Sequence, residues 1–409
     1  MAMETPAFPI GNRPSRLVNR IAPAAVTVLL IGGLLVPGGE KTIAYPAAVV
    51  CAPLILATVL RRLPRLHWIM VFDILVFGSL GLFSLVTPAP SSQYAVQKLS
   101  YFMSLTLLSA SAACLFASES RITRLARTWV LGACYLAVIT VVSASLGERA
   151  APFNSNPIWL GRVFSAGIVM LVWLWLSRRL QLSWAILSAG LLLAGLFASG
   201  SRGPLLAAAV GVVILLVLGG HGWRSLAITS GATGAVALMM QLPLFQQSRI
   251  ISFAPGAILT DFSRSAMLGS TVNLIRQHPF GVGIGNWSDY SMFSRAFKYP
   301  HNLFLEAAAE LGVIAGVLFA LFVVLILTTS LRRSWQDHSL RLPSAWLAVE
   351  IIHVSVSGDL NARTFFFVLA LTFLTMIRQR NHQLGANQIQ PSLAIPEGQP
   401  SLPPYHLSA

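Results

Sequence analysis

The chain has 409 residues, 55% of them hydrophobic and only 10% charged. Soluble domains carry about a quarter charged residues, so a soluble globular surface is excluded. The net charge of +15 gathers mostly in short arginine-bearing segments between apolar blocks, which reads as membrane topology and excludes a nucleic-acid footprint.

The apolar blocks run to about 16–22 residues, the length that crosses a hydrocarbon core as a helix. Lipid cannot satisfy backbone polar groups, and the blocks do not alternate in polarity as barrel strands would, so they are helices. In chain order they fall near Ile21–Val36, Ile43–Leu60, His67–Val86, Lys98–Ala117, Arg127–Leu146, Ile158–Leu176, Leu182–Ala198, Pro204–Leu218, Ser225–Leu242, Asn302–Thr328, Ser344–Val356 and Thr364–Ile377. The expected fold is therefore all-α, with about twelve transmembrane helices. The first block reads as an uncleaved anchor, because no small-residue cleavage site follows it.

Charge asymmetry orients the array. With a cytoplasmic N-terminus, the inside segments hold 17 of the 28 basic residues. They comprise Arg13, Arg16 and Arg20; Arg61, Arg62 and Arg65; Arg121, Arg124 and Arg127; Arg178, Arg179 and Arg224; Arg332, Arg333 and Arg341; and Arg378 and Arg380. Long loops are exempt from the positive-inside rule, which sets aside the segment from Pro243 to Pro300. Both termini are then cytoplasmic, with the protein multi-pass in a bacterial inner membrane. The expected organisation is a cytoplasmic N-terminus (1–20), nine spans (21–242), a large periplasmic loop (243–301), three spans (302–377) and a disordered, proline-rich cytoplasmic tail (378–409). Cys51, Cys114 and Cys134 lie in apolar stretches without metal-ligand spacing and read as small core residues.

Polar residues gather in four outward segments. The first, Gly147–Arg162, includes Asn154, Asn156 and Arg162. The second is the tight Ser199-Gly200-Ser201-Arg202-Gly203-Pro204 turn, where Arg202 reads either as a snorkelling interfacial arginine or as a bidentate phosphate ligand. The third is the long loop, with a helical stretch Asp261–Gln277 carrying Arg264 and Arg276. After it comes the glycine-rich His278-Pro279-Phe280-Gly281-Val282-Gly283-Ile284-Gly285-Asn286, read as a plain turn or as an anion-binding nest. The fourth is Ser357–Arg363, with Asp359. Tyr299-Pro300-His301-Asn302 then leads into a helix containing Glu306. The sequence puts His301 in the first turn, neutral and able to accept a proton, and sets Asn302 one turn from Glu306, within hydrogen-bonding reach. Glu350 and His353 form an ExxH pair without the second pair that a dimetal bundle needs. They read, like Asp73, as buried polar contacts.

The order of these motifs resembles the O-antigen ligase/polymerase superfamily. The apolar array leads to Ser201-Arg202-Gly203, then Arg264, then His278-Pro279-Phe280-Gly281-Val282-Gly283, then Pro300-His301-Asn302-Leu303-Phe304-Leu305-Glu306 and Gly312. The resemblance implies a GT-C-like, metal-independent glycosyltransferase without cofactors. Its donor would be a glycan on undecaprenyl pyrophosphate, presented at the periplasmic face among membrane lipids. By the resemblance, Arg202 and Arg264 hold the pyrophosphate and His301 is the general base on the acceptor hydroxyl. Arg276 is the alternative second arginine, and Asp359 is aligned with an acidic residue found near that helix end in some members. Arg162, Gly281, Gly283, Asn302 and Glu306 complete the expected substrate-binding set. The acceptor would be lipid A-core in a ligase, with a growing glycan in a polymerase as the alternative. A transporter is the reading from another class, although transporters place polar groups at the midplane on paired broken helices.

Overall fold

The computed structural model describes residues 16–35, 45–61, 63–116, 118–144, 150, 152–220, 255–293 and 297–389. The expected ninth span, Ser225–Leu242, the loop residues before Pro255 and the tail prolines lie outside these. Among the described residues every regular element is helical. They are α1 (Arg16–Ile31), α2 (Tyr45–Arg61), α3 (Leu63–Asp73), α4 (Ser79–Leu85), α5 (Gln93–Tyr101), α6 (Leu107–Ser111), α7 (Glu119–Val142) and α8 (Pro157–Leu176). There follow α9 (Leu182–Ala198), α10 (Arg202–Gly219), α11 (Pro255–Gln277), α12 (Trp287–Tyr290), α13 (Leu303–Leu311), α14 (Val313–Ser334), α15 (His338–Ser357) and α16 (Arg363–Ile389). Single π-helical turns join α3 to α4 and α5 to α6.

Among the described residues, six helical stretches are long and apolar enough to cross a membrane: Trp68–Leu85, Gln93–Phe116, Glu119–Val142, Pro157–Leu176, Arg202–Gly219 and Val313–Ser334. Three shorter apolar helices accompany them, Arg20–Leu34, Tyr45–Thr58 and Leu182–Ala198. This is a multi-pass membrane protein.

Helix α8 lies at the centre, packed against α7, α9, α10 and α15. Small residues let the backbones approach, as in other membrane bundles. A Cβ at Gly211 on α10 would lie 2.5 Å from Val349 and 2.6 Å from Val169, and one at Gly195 on α9 would lie 2.9 Å from Ala137. The other layer is aromatic. Phe77 and Phe102, both in π-helical turns, sit with ring centroids 5.2 Å apart, and Phe77 is also 5.2 Å from Phe366 on α16.

Several boundaries differ from the sequence reading. Arg121, Arg124 and Arg127 lie inside α7, which begins at Glu119, and Arg121 donates to the Leu115 carbonyl. Helix α16 continues past Arg380 to Ile389. Most importantly, the expected helix Asn302–Thr328 is broken at Gly312, whose φ of +97° only glycine adopts without strain. In a straight helix Ala308 and Gly316 would be about 12 Å apart along the axis. Here a Cβ on Gly316 would stand 2.7 Å from the Ala308 Cα, so α13 folds back upon α14.

The two ends of the bundle differ in chemistry. At one end Arg179 pairs with Glu119 at 2.5 Å and stacks over Trp173, Arg127 donates to the Arg179 carbonyl, and Arg333 donates to the Met376 carbonyl. These are arginines that the charge count assigned to one side. At the other end meet the described residues of the four outward segments.

Candidate functional site

The site end is assembled by capping and tight turns. Asn156 caps α8 by accepting from the Ile158 amide at 2.9 Å, with Pro157 next in the first turn. The Ser199–Pro204 turn closes over that cap: Gly200 has φ +62°, and the Ser201 hydroxyl donates to the Pro157 carbonyl. Gly161 makes the fit possible, since a Cβ there would already be 3.0 Å from Pro204. Arg202 is thereby fixed as the first residue of α10, exposed at the site end.

His301 stands outside the helix, not in its first turn. Asn302 is the N-cap of α13, accepting from the Phe304 and Leu305 amides at 3.1 Å each, while its own amide group donates to the Ser355 carbonyl at 2.9 Å. Asn302 and Glu306 meet through the backbone, by the Glu306 amide on the Asn302 carbonyl at 2.9 Å, instead of side chain to side chain. With Asn302 spent as the cap, His301 takes a left-handed φ of +56°, a conformation uncommon outside glycine and enriched in His and Asn. Its ring lies 4.4 Å from that of Tyr299 and 5.3 Å from that of Phe297.

Glu306 is completely buried, and its partner is Lys98 at the head of the second long span. Lys98 bridges Glu306 and Glu310, reaching both Glu310 oxygens at 2.7 Å, and all three side chains are out of contact with solvent. The two carboxylates are four residues apart and share a face of α13. Each has a second neighbour: Glu306 accepts from the Leu360 amide at 2.8 Å, and the Gly285 and Trp287 backbone amides favour the charged form of Glu310. The glycine turn therefore lies against the protein's own Glu310.

The other amides of the turn are also directed inward. Gly281 donates to His278, Val282 to Ala309 and Gly283 to Glu310, all at 2.9 Å and all to carbonyls. Gly281, Gly283 and Gly285 have φ of +90°, +94° and +79°. Asn286 ties the turn to the segment before α5, accepting from both the amide and the hydroxyl of Ser91 and donating to the Ala89 carbonyl. Trp287, Met267, Leu274, Val282 and Ala309 form a small second core that seats α11 on α13. Arg264 lies on α11 and Arg276 in its last turn, where Arg276 is exposed.

Beneath these elements lies a cavity of about 300 Å³. Tyr94, Gln97, Arg162, Tyr299, Asp359 and Arg363 supply its polar wall, and Leu30, Trp129 and Trp159 part of its apolar wall. Arg162 is steered by a bond to the His353 carbonyl at 3.1 Å, and His353 in turn meets the Ser165 hydroxyl at 2.8 Å and Glu350 at 3.5 Å. The ExxH pair is therefore a buried polar contact at the residue whose carbonyl holds Arg162. Burial first, then the Asp359 and Glu306 carboxylates, hold the Tyr299 phenol above its usual pKa, so that it stays a hydrogen-bond donor at neutral pH.

Of the residues singled out in the sequence, Arg162 and Asp359 line the cavity, and His301 touches it through Tyr299. Arg202 and Asn302 belong to the same end, Glu306 braces it from behind, and Gly281 and Gly283 shape the turn above. The sequence reading missed Lys98, Glu310, Tyr94 and Gln97. A polar run before the apolar block, Gln93-Tyr94-Ala95-Val96-Gln97-Lys98, was the available signal.

Fold and site together define a polytopic helical membrane protein with a polar, aromatic-walled cavity at one end of its bundle. Residues 187–320 match the model of a family described as O-antigen ligase, a stretch that spans α9, α10, α11, the glycine turn, α13 and the start of α14 and includes Arg202, Arg264 and His301. The match supports placing the chain in the O-antigen ligase/polymerase superfamily. No curated protein matches the chain.

Proposed function

We propose that the protein is a metal-independent glycosyltransferase that moves a glycan from undecaprenyl pyrophosphate to an acceptor hydroxyl at the periplasmic face of the inner membrane. The observation that carries this reading is the cavity at the same end of the bundle as Arg202, with His301 packed on its Tyr299 wall. The acceptor oxygen attacks the anomeric carbon, His301 takes the hydroxyl proton, and the bond to the lipid pyrophosphate breaks with its electron pair. Arg202 and Arg264 stabilise the charge gathering on that leaving group, with Arg276 close by on the same helix. The ligase-type reaction, with lipid A-core as acceptor, is the favoured form, and repeat-unit polymerisation is the alternative.

The test is reconstitution of the full chain with an undecaprenyl-pyrophosphate glycan and either lipid A-core or a second lipid-linked glycan as acceptor. His301→Ala is expected to slow transfer roughly 100-fold or more, the usual scale for losing a general base. Arg202→Ala and Arg264→Ala are each expected to cost about tenfold or more through lost charge-assisted bonds. Full transfer by all three variants sinks the mechanism, and the acceptor that is used separates ligase from polymerase.

Sidedness has its own check. In a cysteine-free background, Met292→Cys, at a site 82% exposed on the loop, should react in intact cells with a membrane-impermeant maleimide. Trp335→Cys, 58% exposed at the opposite end, should react only after permeabilisation. Labelling of both in intact cells would overturn the orientation.

A further inference from the structure

We infer that the cavity is a subsite for an uncharged sugar ring, and that the pyrophosphate of the donor binds outside it. This rests on the glycosyltransferase reading and says which part of a substrate the cavity holds. Charge is the first argument. Lys98, Arg162 and Arg363 line the cavity, but so do Glu350 and Asp359, and Lys98 is already held between Glu306 and Glu310. The wall has no surplus of positive charge, whereas a pyrophosphate would enter it with two or more negative charges.

Surface chemistry is the second argument. Tyr94, Tyr101, Trp159 and Tyr299 contribute aromatic side chains to the wall, a residue type that suits the C–H face of a pyranose and carries a polar group able to hydrogen-bond. Among them stand Gln97, Asn361, Asp359 and Arg162. Each is a planar group with two donor or acceptor atoms that can span neighbouring hydroxyls of one ring. Size is the third. About 300 Å³ lies at the lower end of small-ligand pockets, the scale of a sugar ring or two and not of a polyprenyl chain or a long glycan. The exposed Arg202 lies outside this wall, as a phosphate ligand beside a sugar pocket should.

The sugar could come from the donor, as the ring next to the pyrophosphate, or from the acceptor, as its terminal ring; kinetics separate the two. With transfer by the wild-type chain established, KM is measured for donor and for acceptor, together with inhibition by bare undecaprenyl pyrophosphate, which has the phosphates but no sugar. Gln97→Ala, Tyr94→Ala and Asp359→Asn are expected to raise one of the two KM values about tenfold, the scale of losing a bond to a polar or charged group. The inhibitor should keep its potency within about twofold. Arg202→Ala should weaken the inhibitor. A rise in the donor KM assigns the subsite to the donor sugar, and a rise in the acceptor KM assigns it to the acceptor. Unchanged KM for both substrates, or inhibition weakened in parallel with KM, overturns the proposal. Gln97 is exposed, so its variant carries the test even if Tyr94→Ala fails to fold. A wild-type chain without any transfer activity removes the glycosyltransferase reading itself, and that is a different result.

Discussion

Lys98→Met should yield a protein that is markedly less stable in detergent and inactive in transfer, although the substitution is nearly isosteric and lies at the head of an apolar helix. Lys98 is 1% exposed, and Glu306 and Glu310 are fully buried. Methionine would fill the volume but leave two carboxylates facing one another in a dry interior. Breaking a buried pair by removing one partner costs about 3–5 kcal/mol, and here one cation serves two anions. The loss spreads because each residue has a second duty: Glu306 holds the Leu360 amide beside Asp359, and the Glu310 carbonyl accepts from the Gly283 amide of the glycine turn. The measurement is thermal unfolding of purified protein alongside transfer activity. Restoring charge balance with Lys98→Met combined with Glu310→Gln should recover part of the stability. Wild-type stability in the single variant would show that the triad does not brace this end.

Gly283→Ala is the second substitution expected to fail, for steric instead of electrostatic reasons. A Cβ there would stand 2.1 Å from the Pro88 carbonyl oxygen, and φ is +94°. Neither backbone can yield cheaply. The Gly283 amide bonds the Glu310 carbonyl, and Asn286 holds the Ser91 segment next to Pro88. A loss of roughly 3 kcal/mol or more is expected from strain and clash together, again read by thermal unfolding. Gly269→Ala is the matched control, because a Cβ at Gly269 would meet nothing within 4 Å; it should be neutral or slightly stabilising in helix α11. Equal stability of the two variants would count against the turn as a rigid joint.

Much of this architecture was legible in residue order. Membrane helices announce themselves because each must satisfy its own backbone, a local requirement that leaves a local trace. Helix α9 falls at Leu182–Ala198 as expected, whereas the caps at Asn156 and Asn302 were not read, the start of α13 having been expected at Pro300. The break at Gly312 was not legible. It depends on Pro279 and Phe280 arriving from the loop, with the Val313 amide bonding the Pro279 carbonyl at 2.9 Å. Without that partner the sequence reads as one continuous span.

The site divides in the same way. Arg202, Arg264 and His301 stood out because each occupies a motif within a few residues of sequence. Lys98 did not, since it lies 208 and 212 residues from its two carboxylates. Nor did the cavity, whose walls come from α1, α5, α7, α8, α15 and α16 and from the segments at Tyr299 and Asp359. Composition and periodicity by themselves determined that this chain is an array of membrane helices, with its polar motifs at helix ends, because burial in lipid acts on each segment separately. Only the tertiary structure decided that Glu306 and Glu310 serve Lys98, that the glycine turn closes on Glu310, and that Arg162, Tyr299 and Asp359 face one cavity. Those are pairings between distant segments, and a buried charge takes whichever partner the packed chain brings to it.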